Sequence, residues 1–169
     1  MDWFETHWDS EEFVLLKVES DGMKLRYASS RMKDCEMIVS VAIRQNPHAL
    51  EYASERLRDD KEIISLAIEM GSEEIYFASE RLRDDEEIVS FAILFYGRSL
   101  RYASKRLRNN EEIVTLAIKN DPAAYQYASK RLRRKRKIIH MTNPSIVTFN
   151  SDDIEQLTRD YREYDIHLL

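Results

Sequence analysis

Residues 49–68 have the sequence ALEYASERLRDDKEIISLAI, and the same pattern recurs along the chain at an interval of 25 residues. The interval contains no insertion or deletion, so adding 25 to a residue number gives the equivalent position in the next unit. An internal repeat of this length indicates supersecondary units that stack on one another. The tripeptide Tyr/Phe-Ala-Ser begins at Tyr27, Tyr52, Phe77, Tyr102 and Tyr127.

Each unit is predicted to form two short helices, because its apolar residues follow helical spacing. In the second unit the first helix is predicted from Pro47 to Arg58 and the second from Asp60 to Met70. Asp59 and Glu62 have the spacing of a capping box at the start of the second helix. Two helices of this size cannot bury their apolar faces alone, so the sequence predicts an all-α fold, an α-solenoid of two-helix repeats. The predicted inward-facing residues are Leu50, Ala53 and Leu57 in the first helix and Ile63, Ile64, Ala67 and Ile68 in the second.

The repeats lead us to predict one α-solenoid domain over residues 1–169. Its predicted parts are an N-terminal cap and orphan helix (1–20), five helix-pair repeats (21–142), and a C-terminal linker and capping helix (143–169). Trp3, Phe4 and Trp8 are predicted to cover the first helix. A short apolar linker (145–149) and a last helix (151–166) are predicted to close the other end.

The unit resembles the repeat family described as domain of unknown function 4116, whose units have the pattern A-L-x-Y-A-S-x-x-L-basic-x-D-x-E-I-V. Residues 49–54 and 57–64 match this pattern closely, and residues 9–141 fall within it. The resemblance implies a helical repeat fold. It implies no activity, cofactor or partner.

Composition excludes several classes of protein. Three Gly and three Pro leave little turn chemistry for an all-β fold or for Gly-rich phosphate loops. Apolar runs are short, which predicts no membrane span, and the first residues lack the pattern of a secretory signal. The single cysteine, Cys35, cannot form an intrachain disulfide and is predicted to be a free structural thiol. We therefore expect a cytoplasmic protein, or one inside a host cell if its source is viral.

Charge is distributed unevenly along a chain whose net charge is −5. Residues 51–75 contain three Lys or Arg and eight Asp or Glu, whereas residues 126–150 contain seven Lys or Arg and no acid. The basic segment 130–137 replaces the acids found at equivalent positions of earlier units. It supplies most of the residues predicted to bind a partner: Lys130, Arg131, Arg133, Arg134, Lys135, Arg136, Lys137 and, one unit earlier, Arg108.

Three hypotheses account for the basic segment. The acidic residues of the predicted last helix could fold back and neutralise it. It could bind an acidic partner protein, or the acidic N-terminal part of a second copy in end-to-end association. It could also bind nucleic acid, since basic runs of this length do so electrostatically.

Two columns of side chains carry alternative interpretations. Arg56 and Arg58, with equivalents in every unit (Lys33 at the first), could bind phosphates or carboxylates in a groove. They could instead pair with the acidic start of the following helix. The tyrosine column could stack on bases, but Phe77 replaces Tyr without breaking the pattern, which favours packing.

Catalytic motifs do not emerge from the sequence. His7, His48, His140 and His167 occur singly, which gives no metal-ligand spacing, and the repeated serines have no neighbouring histidine. We therefore expect no cofactor, no metal and no enzyme activity. The predicted function is a protein-binding repeat scaffold, such as an inhibitor, immunity factor or adaptor. The alternative is a nucleic-acid-associated protein that uses residues 130–137.

Overall fold

The computed structural model describes residues 7–71, 73–135 and 138. Every regular element in these residues is helical, and none of them lies in a β-strand. None of the helices in these residues has the length and apolar character needed to cross a membrane. The prediction of an all-α fold is confirmed for the described part of the chain.

Ten-residue α-helices begin at intervals of 25 residues and form the longest elements of the described residues. Their polar starts and apolar faces repeat from one unit to the next. In α5, Asp60 caps the N-terminus by accepting hydrogen bonds from the backbone N–H groups of Glu62 and Ile63 at 2.9 and 3.1 Å. The long helices are α1 (Glu11–Ser20), α3 (Glu36–Gln45), α5 (Lys61–Met70), α7 (Glu86–Phe95) and α8 (Glu111–Asn120).

The segment predicted as the first helix of each unit is not one helix. Residues 47–58 form a 3-10 helix (Pro47–Tyr52) and then a single-turn α-helix, α4 (Glu55–Arg58). Between them Ala53 is extended, with φ −64° and ψ 155°. Ser54 caps α4 by accepting from the backbone N–H of Leu57 at 3.2 Å. The serine side chain thus gives the backbone an alternative to continuing the helix, and each unit contains three helical segments where two were predicted.

The same division recurs in the other units. The 3-10 helices before the break are Gly22–Tyr27, Pro47–Tyr52, Glu74–Phe77, Gly97–Tyr102 and Pro122–Tyr127. The short segments after it are α2 (Ser30–Lys33), α4, α6 (Glu80–Arg83), a 3-10 turn (Leu107–Asn109) and α9 (Lys130–Arg133).

Packing follows the order of the units along the chain. Each long helix contacts the next long helix, and each 3-10 helix in the first part of a unit contacts the corresponding 3-10 helix of the next unit. The core between these two layers contains the same positions in successive units, and these are buried except at Tyr125, which is partly buried. In the second unit these positions include Leu50, Leu57, Ile64 and Ala67.

The first long helix is covered as predicted by Trp8, which is buried and meets Phe13 edge to face at a centroid distance of 5.3 Å. The other predicted end structures lie outside the described residues: Trp3, Phe4, the linker 145–149 and the last helix 151–166.

Candidate binding surface along two arginine columns

One column of arginines joins each unit to the unit before it. Arg56 donates from Nε to the Asp34 carboxylate at 3.0 Å and from Nη2 to the Asp34 backbone carbonyl at 2.8 Å. The Ser54 hydroxyl donates to the same carboxylate. We call the arginines at this position the clamp arginines: Arg31, Arg56, Arg81, Arg106 and Arg131, which bond Asp9, Asp34, Asp59, Asp84 and Asn109 respectively.

The clamp corrects two details of the sequence analysis. One of the two interpretations paired these arginines with the acids that follow them, but Arg56 bonds Asp34 and Glu36 of the preceding unit. Asp59 was expected to cap the long helix, but the cap is Asp60. Asp59 instead accepts hydrogen bonds from the side chains of Ser79 and Arg81 in the next unit. The two adjacent acids therefore have different roles.

The clamp also fixes the charge state of its acids. The hydrogen bond from the Ser79 hydroxyl, followed by that from Arg81, holds the pKa of Asp59 below its ordinary value. The pKa values of Asp9, Asp34 and Asp84 are lowered in the same way, first by the serine hydroxyl of the next unit and then by its arginine. These carboxylates are ionised at neutral pH, which makes the bonds they accept charge-assisted.

A second column of arginines lies two positions further along the chain, and in each of its members the Nε donor lacks a hydrogen-bond partner. We call its members the unpaired arginines: Arg58, Arg83, Arg108 and Arg133. The Nε atom of each is buried and has no hydrogen-bond partner. Among the described residues, none of the four forms an ion pair. The four residues as a whole are only partly buried.

Backbone bonds between units hold three of the four unpaired arginines at the same place in successive units. The carbonyl groups of Arg58, Arg83 and Arg108 accept from the backbone N–H groups of Ser79, Ser104 and Ser129 at 2.9, 2.8 and 2.8 Å. The carbonyl of Arg133 accepts from the Tyr125 hydroxyl at 2.7 Å. The arginine side chains are therefore presented at the period of the repeat.

A cleft of about 350 Å³ lies where two of these arginines meet the aromatic column. Arg58 and Arg83 line it from consecutive units, together with Glu51, Tyr76, Phe77 and Ala78. Tyr76 is more than half exposed, and its ring lies 5.1 Å from that of Phe77 and 5.4 Å from that of Tyr102. The cleft thus combines cationic and aromatic side chains.

Four members of the tyrosine column pack against the core, as the sequence predicted: Tyr52, Phe77, Tyr102 and Tyr127 are partly buried there. The Tyr102 hydroxyl also donates to Glu73 at 3.0 Å. Tyr27, at the first unit, is 44% exposed. A partly buried aromatic column can support the core and still offer ring edges to a ligand.

The predicted partner-binding residues have different environments. Arg131 is a clamp arginine that bonds Asn109, and Lys135 forms an ion pair with Glu111. Arg108 and Arg133 belong to the unpaired arginines, and Lys130 and Arg134 are exposed. Arg136 and Lys137 lie outside the described residues, as do the acidic residues of the predicted last helix.

Other candidate chemistry is absent from the described part of the chain or is already used by the fold. No group of three or more His, Cys, Asp or Glu could hold a metal ion there. The repeated serines cap short helices and donate to the clamp acids. Cys35 is a free, partly buried thiol.

One buried acid was missed by the sequence analysis. Glu74 is 3% exposed, its Oε1 lies 3.3 Å from Nδ1 of His48, and its Oε2 has no partner. Burial raises the pKa of this carboxyl above its ordinary value, against the opposing effect of His48. A signal was present in the sequence, because the equivalent positions one unit before and two units after are Ala49 and Ala124, both fully buried.

Comparison with known protein families gives one match. The family model described as "Domain of unknown function (DUF4116)" matches four overlapping stretches of the chain, residues 10–58, 38–83, 60–105 and 85–133. No curated protein and no solved structure matches the chain.

Proposed function

We propose that this chain, which belongs to the family Domain of unknown function (DUF4116), is a non-catalytic protein-binding scaffold. In this proposal the 25-residue units form an α-solenoid, and the unpaired arginines are its binding surface. The family description names no activity, so the proposal depends on this chain's own side chains. Stacked repeats present extended surfaces of the kind that protein partners use. An inhibitor, immunity factor or adaptor would act in this way.

One observation carries the proposal: Arg58, Arg83, Arg108 and Arg133 each leave a buried Nε without an acceptor. A buried donor without a partner costs about 1–3 kcal/mol, and most native proteins keep few of them. The clamp arginines two positions away each donate from both Nε and Nη2, so the fold does not lack acceptors in general. Because these four guanidinium groups also form no ion pair among the described residues, a partner's carboxylates would supply the counter-charges that they lack.

An affinity capture experiment tests the proposal. The wild-type chain is compared with the double variant Arg83→Glu, Arg108→Glu, and proteins retained from the source cell are identified. A matched control reverses the same amount of charge on the exposed ends of long helices, Arg44→Glu with Lys119→Glu. We expect the wild type and the control to retain the same defined protein, and the variant Arg83→Glu, Arg108→Glu to lose it.

Thermal unfolding of all three proteins checks that the variants are folded. Retention of the same partner by the column variant at wild-type levels would contradict the proposal, because the surface would then lie elsewhere. Loss from the control variant as well would show that overall charge, and not the column, governs retention.

A second candidate function is association with nucleic acid through the basic segment. The observation in its favour is that Lys130 and Arg134 are exposed and form no ion pair among the described residues. Binding of a double-stranded oligonucleotide that weakens steeply with salt, and that is lost in Lys130→Glu with Arg134→Glu, would support it. No retention at low salt would exclude it.

An intracellular location is part of the first proposal. A free thiol at Cys35 is compatible with a reducing compartment.

A further inference from the structure

The unpaired arginines recur at a fixed distance, and that distance constrains the ligand. Consecutive members belong to consecutive units, whose helices pack side by side. Packed helices lie about 8–10 Å apart, so we expect Arg83, Arg108 and Arg133 to follow one another at about that interval. A ligand that uses several of them must present acids at the same interval.

An extended peptide can present acids at this interval on one side only in a particular conformation. A polyproline II helix has three residues per turn and rises about 3.1 Å per residue. Every third side chain therefore points the same way, about 9 Å further along. In a β-strand, neighbouring side chains on one face are two residues and about 7 Å apart. The distance between acids on one face of a strand would therefore be shorter than the distance between the arginines.

The aromatic side chains beside the row favour the same conformation. Tyr76 and Phe77 line the cleft between Arg58 and Arg83, and Tyr102 continues the aromatic surface at 5.4 Å from Tyr76. Proteins that recognise polyproline II segments do so in grooves lined by aromatic rings. Such a ligand also keeps its carbonyl groups free, because this helix has no internal hydrogen bonds.

Local charge indicates which end of the row an acidic ligand prefers. Glu51 lines the cleft next to Arg58 and would repel an acid there. The equivalent position beside Arg108 is Arg101, which already pairs with Glu73 at 3.4 Å, and beside Arg133 it is Gln126, so neither position adds an unpaired acid. The row from Arg83 to Arg133 is therefore the more favourable part for an anion.

We infer that this surface binds an acidic peptide in the polyproline II conformation, with Asp or Glu at every third residue, whose carboxylates pair with Arg83, Arg108 and Arg133. This inference rests on the proposed protein-binding function and adds the chemistry and spacing of the segment that is bound. A nucleic acid is the less favoured ligand, because it carries a negative charge at every phosphate and the net charge of the chain, −5, repels it more strongly than a peptide with three acids.

Three synthetic peptides test the spacing. Each contains three Asp residues, separated by one, two or three prolines, and its binding to the full chain is followed by fluorescence anisotropy at low salt. We expect the peptide with two intervening prolines to bind at least about tenfold more tightly than the other two, a difference that one well-placed charge-assisted bond supplies.

A conservative variant tests the arginines themselves. Arg108→Lys keeps the charge but removes the planar group and its Nε donor, and Arg44→Lys is the matched control. We expect Arg108→Lys to weaken the preferred peptide several-fold and Arg44→Lys to leave it unchanged. Equal effects of the two variants would overturn the inference, because charge alone would then explain binding.

The outcomes separate this inference from the proposed function. If all three peptides bind alike, or none binds, while Arg83→Glu with Arg108→Glu still loses its captured protein, the spacing is wrong and the protein-binding function stands. If none binds and capture is unaffected, both are wrong. Tighter binding of a poly-thymidylate oligonucleotide than of any peptide, lost in Arg108→Lys, would overturn the inference in favour of nucleic acid.

Discussion

A single acceptor at the end of each short segment determines how neighbouring units are joined. At four of these positions the acceptor is a carboxylate, as at Asp59, which receives both Ser79 and Arg81. At the fifth it is Asn109, which accepts from Ser129 and Arg131 at 2.7 and 2.8 Å without a charge. The last clamp of the described residues is therefore the one without an ionised acceptor.

We expect Asn109→Asp to stabilise the protein by a small amount at neutral pH, raising the Tm by about 1–3 °C, since exposed ion pairs contribute little. The carboxyl introduced would share the lowered pKa of Asp59. A carboxyl whose pKa is lower in the folded state contributes stability above its unfolded pKa and loses it as the pH falls through the folded pKa. Thermal unfolding at pH 7 and pH 3 should show a larger gain at pH 7 than at pH 3.

Asp59→Asn is the reciprocal control for that substitution. It should lower the Tm at pH 7 and lower it less at pH 3. If Asn109→Asp is as stabilising at pH 3 as at pH 7, the clamp does not depend on the ionised acceptor.

Glu74 presents the opposite case, because burial raises its pKa. A carboxyl whose pKa is raised by folding destabilises the folded state only when it is ionised. This destabilisation is absent below the ordinary pKa of 4.5 and develops as the pH rises through the pKa of the folded state. We expect Glu74→Ala, which copies Ala49 and Ala124, to stabilise the protein by about 1 kcal/mol at pH 7. Chemical denaturation at pH 7 and pH 4 measures the difference, which should be smaller at pH 4.

Ala49→Glu is the matched change in the preceding unit and should destabilise the protein at pH 7. A loss of stability in Glu74→Ala at pH 7 would show instead that the contact with His48 outweighs the cost of burial.

Among the elements, the long helices were predicted well and the segments between them were not. The start and end of α5 lie within one residue of the prediction, because Ile63, Ile64, Ala67 and Ile68 define one continuous apolar face. Leu50, Ala53 and Leu57 also have helical spacing, yet the chain leaves the helix at Ala53. Apolar spacing does not distinguish one long helix from two short ones that face the same core. Ser54, which follows Ala53, favours two short helices because its side chain caps the second of them.

The candidate site was predicted only in part, for a related reason. The sequence shows two arginines per unit but not which of them the preceding unit will bond. The distinction between Arg56 and Arg58 arises because Asp34 lies across the unit boundary from Arg56. Contacts between units depend on how the units stack, and the sequence period does not specify that geometry.

A glycine at the entrance to a 3-10 helix shows how closely neighbouring elements approach. A Cβ added to Gly97 would lie 2.7 Å from the carbonyl oxygen of Ala117 and 2.8 Å from the backbone nitrogen of Asp121. The N–H of Gly97 donates to the Asn120 side chain at 2.7 Å, and Asn120 in turn donates to the carbonyl of Leu94 at 2.9 Å. The glycine thus lets the end of α8 contact the unit before it.

We expect Gly97→Ala to destabilise the protein by about 1–3 kcal/mol, because backbone atoms of the next unit would have to move. Gly71→Ala is the control, since the atoms nearest to its added Cβ belong to the side chains of Glu74 and Pro47. Denaturant unfolding of both variants should show the larger loss for Gly97→Ala. Equal losses would mean that the backbone contact at Gly97 is easily relieved.

For the molecule as a whole, the clamp acceptors form a series that stops at the basic segment. Counting by 25 from Asp9, the acceptors are Asp34, Asp59, Asp84 and Asn109, and the next position is Arg134. An arginine cannot accept the serine and arginine donors of a following unit. The same substitution opposes end-to-end association in which a second copy would continue the row of clamps, so a partner at this end must bind in another way.

Deletion of one complete unit tests whether the fold is a solenoid. Removing residues 61–85 joins Asp60 to Glu86 and gives the sequence LRDDEEIVS across the junction, which is the natural sequence of residues 82–90. In a stacked array each unit contacts only its neighbours, so the shortened chain should fold, with a lower Tm and a helical circular dichroism spectrum. Deletion of residues 61–80 breaks the period and is the control that should fail to fold. If both deletions abolish folding equally, contacts must extend beyond adjacent units.

If the 61–85 deletion folds, its row of unpaired arginines is one member shorter, and binding of the three-acid peptide can then be measured on a correctly stacked array.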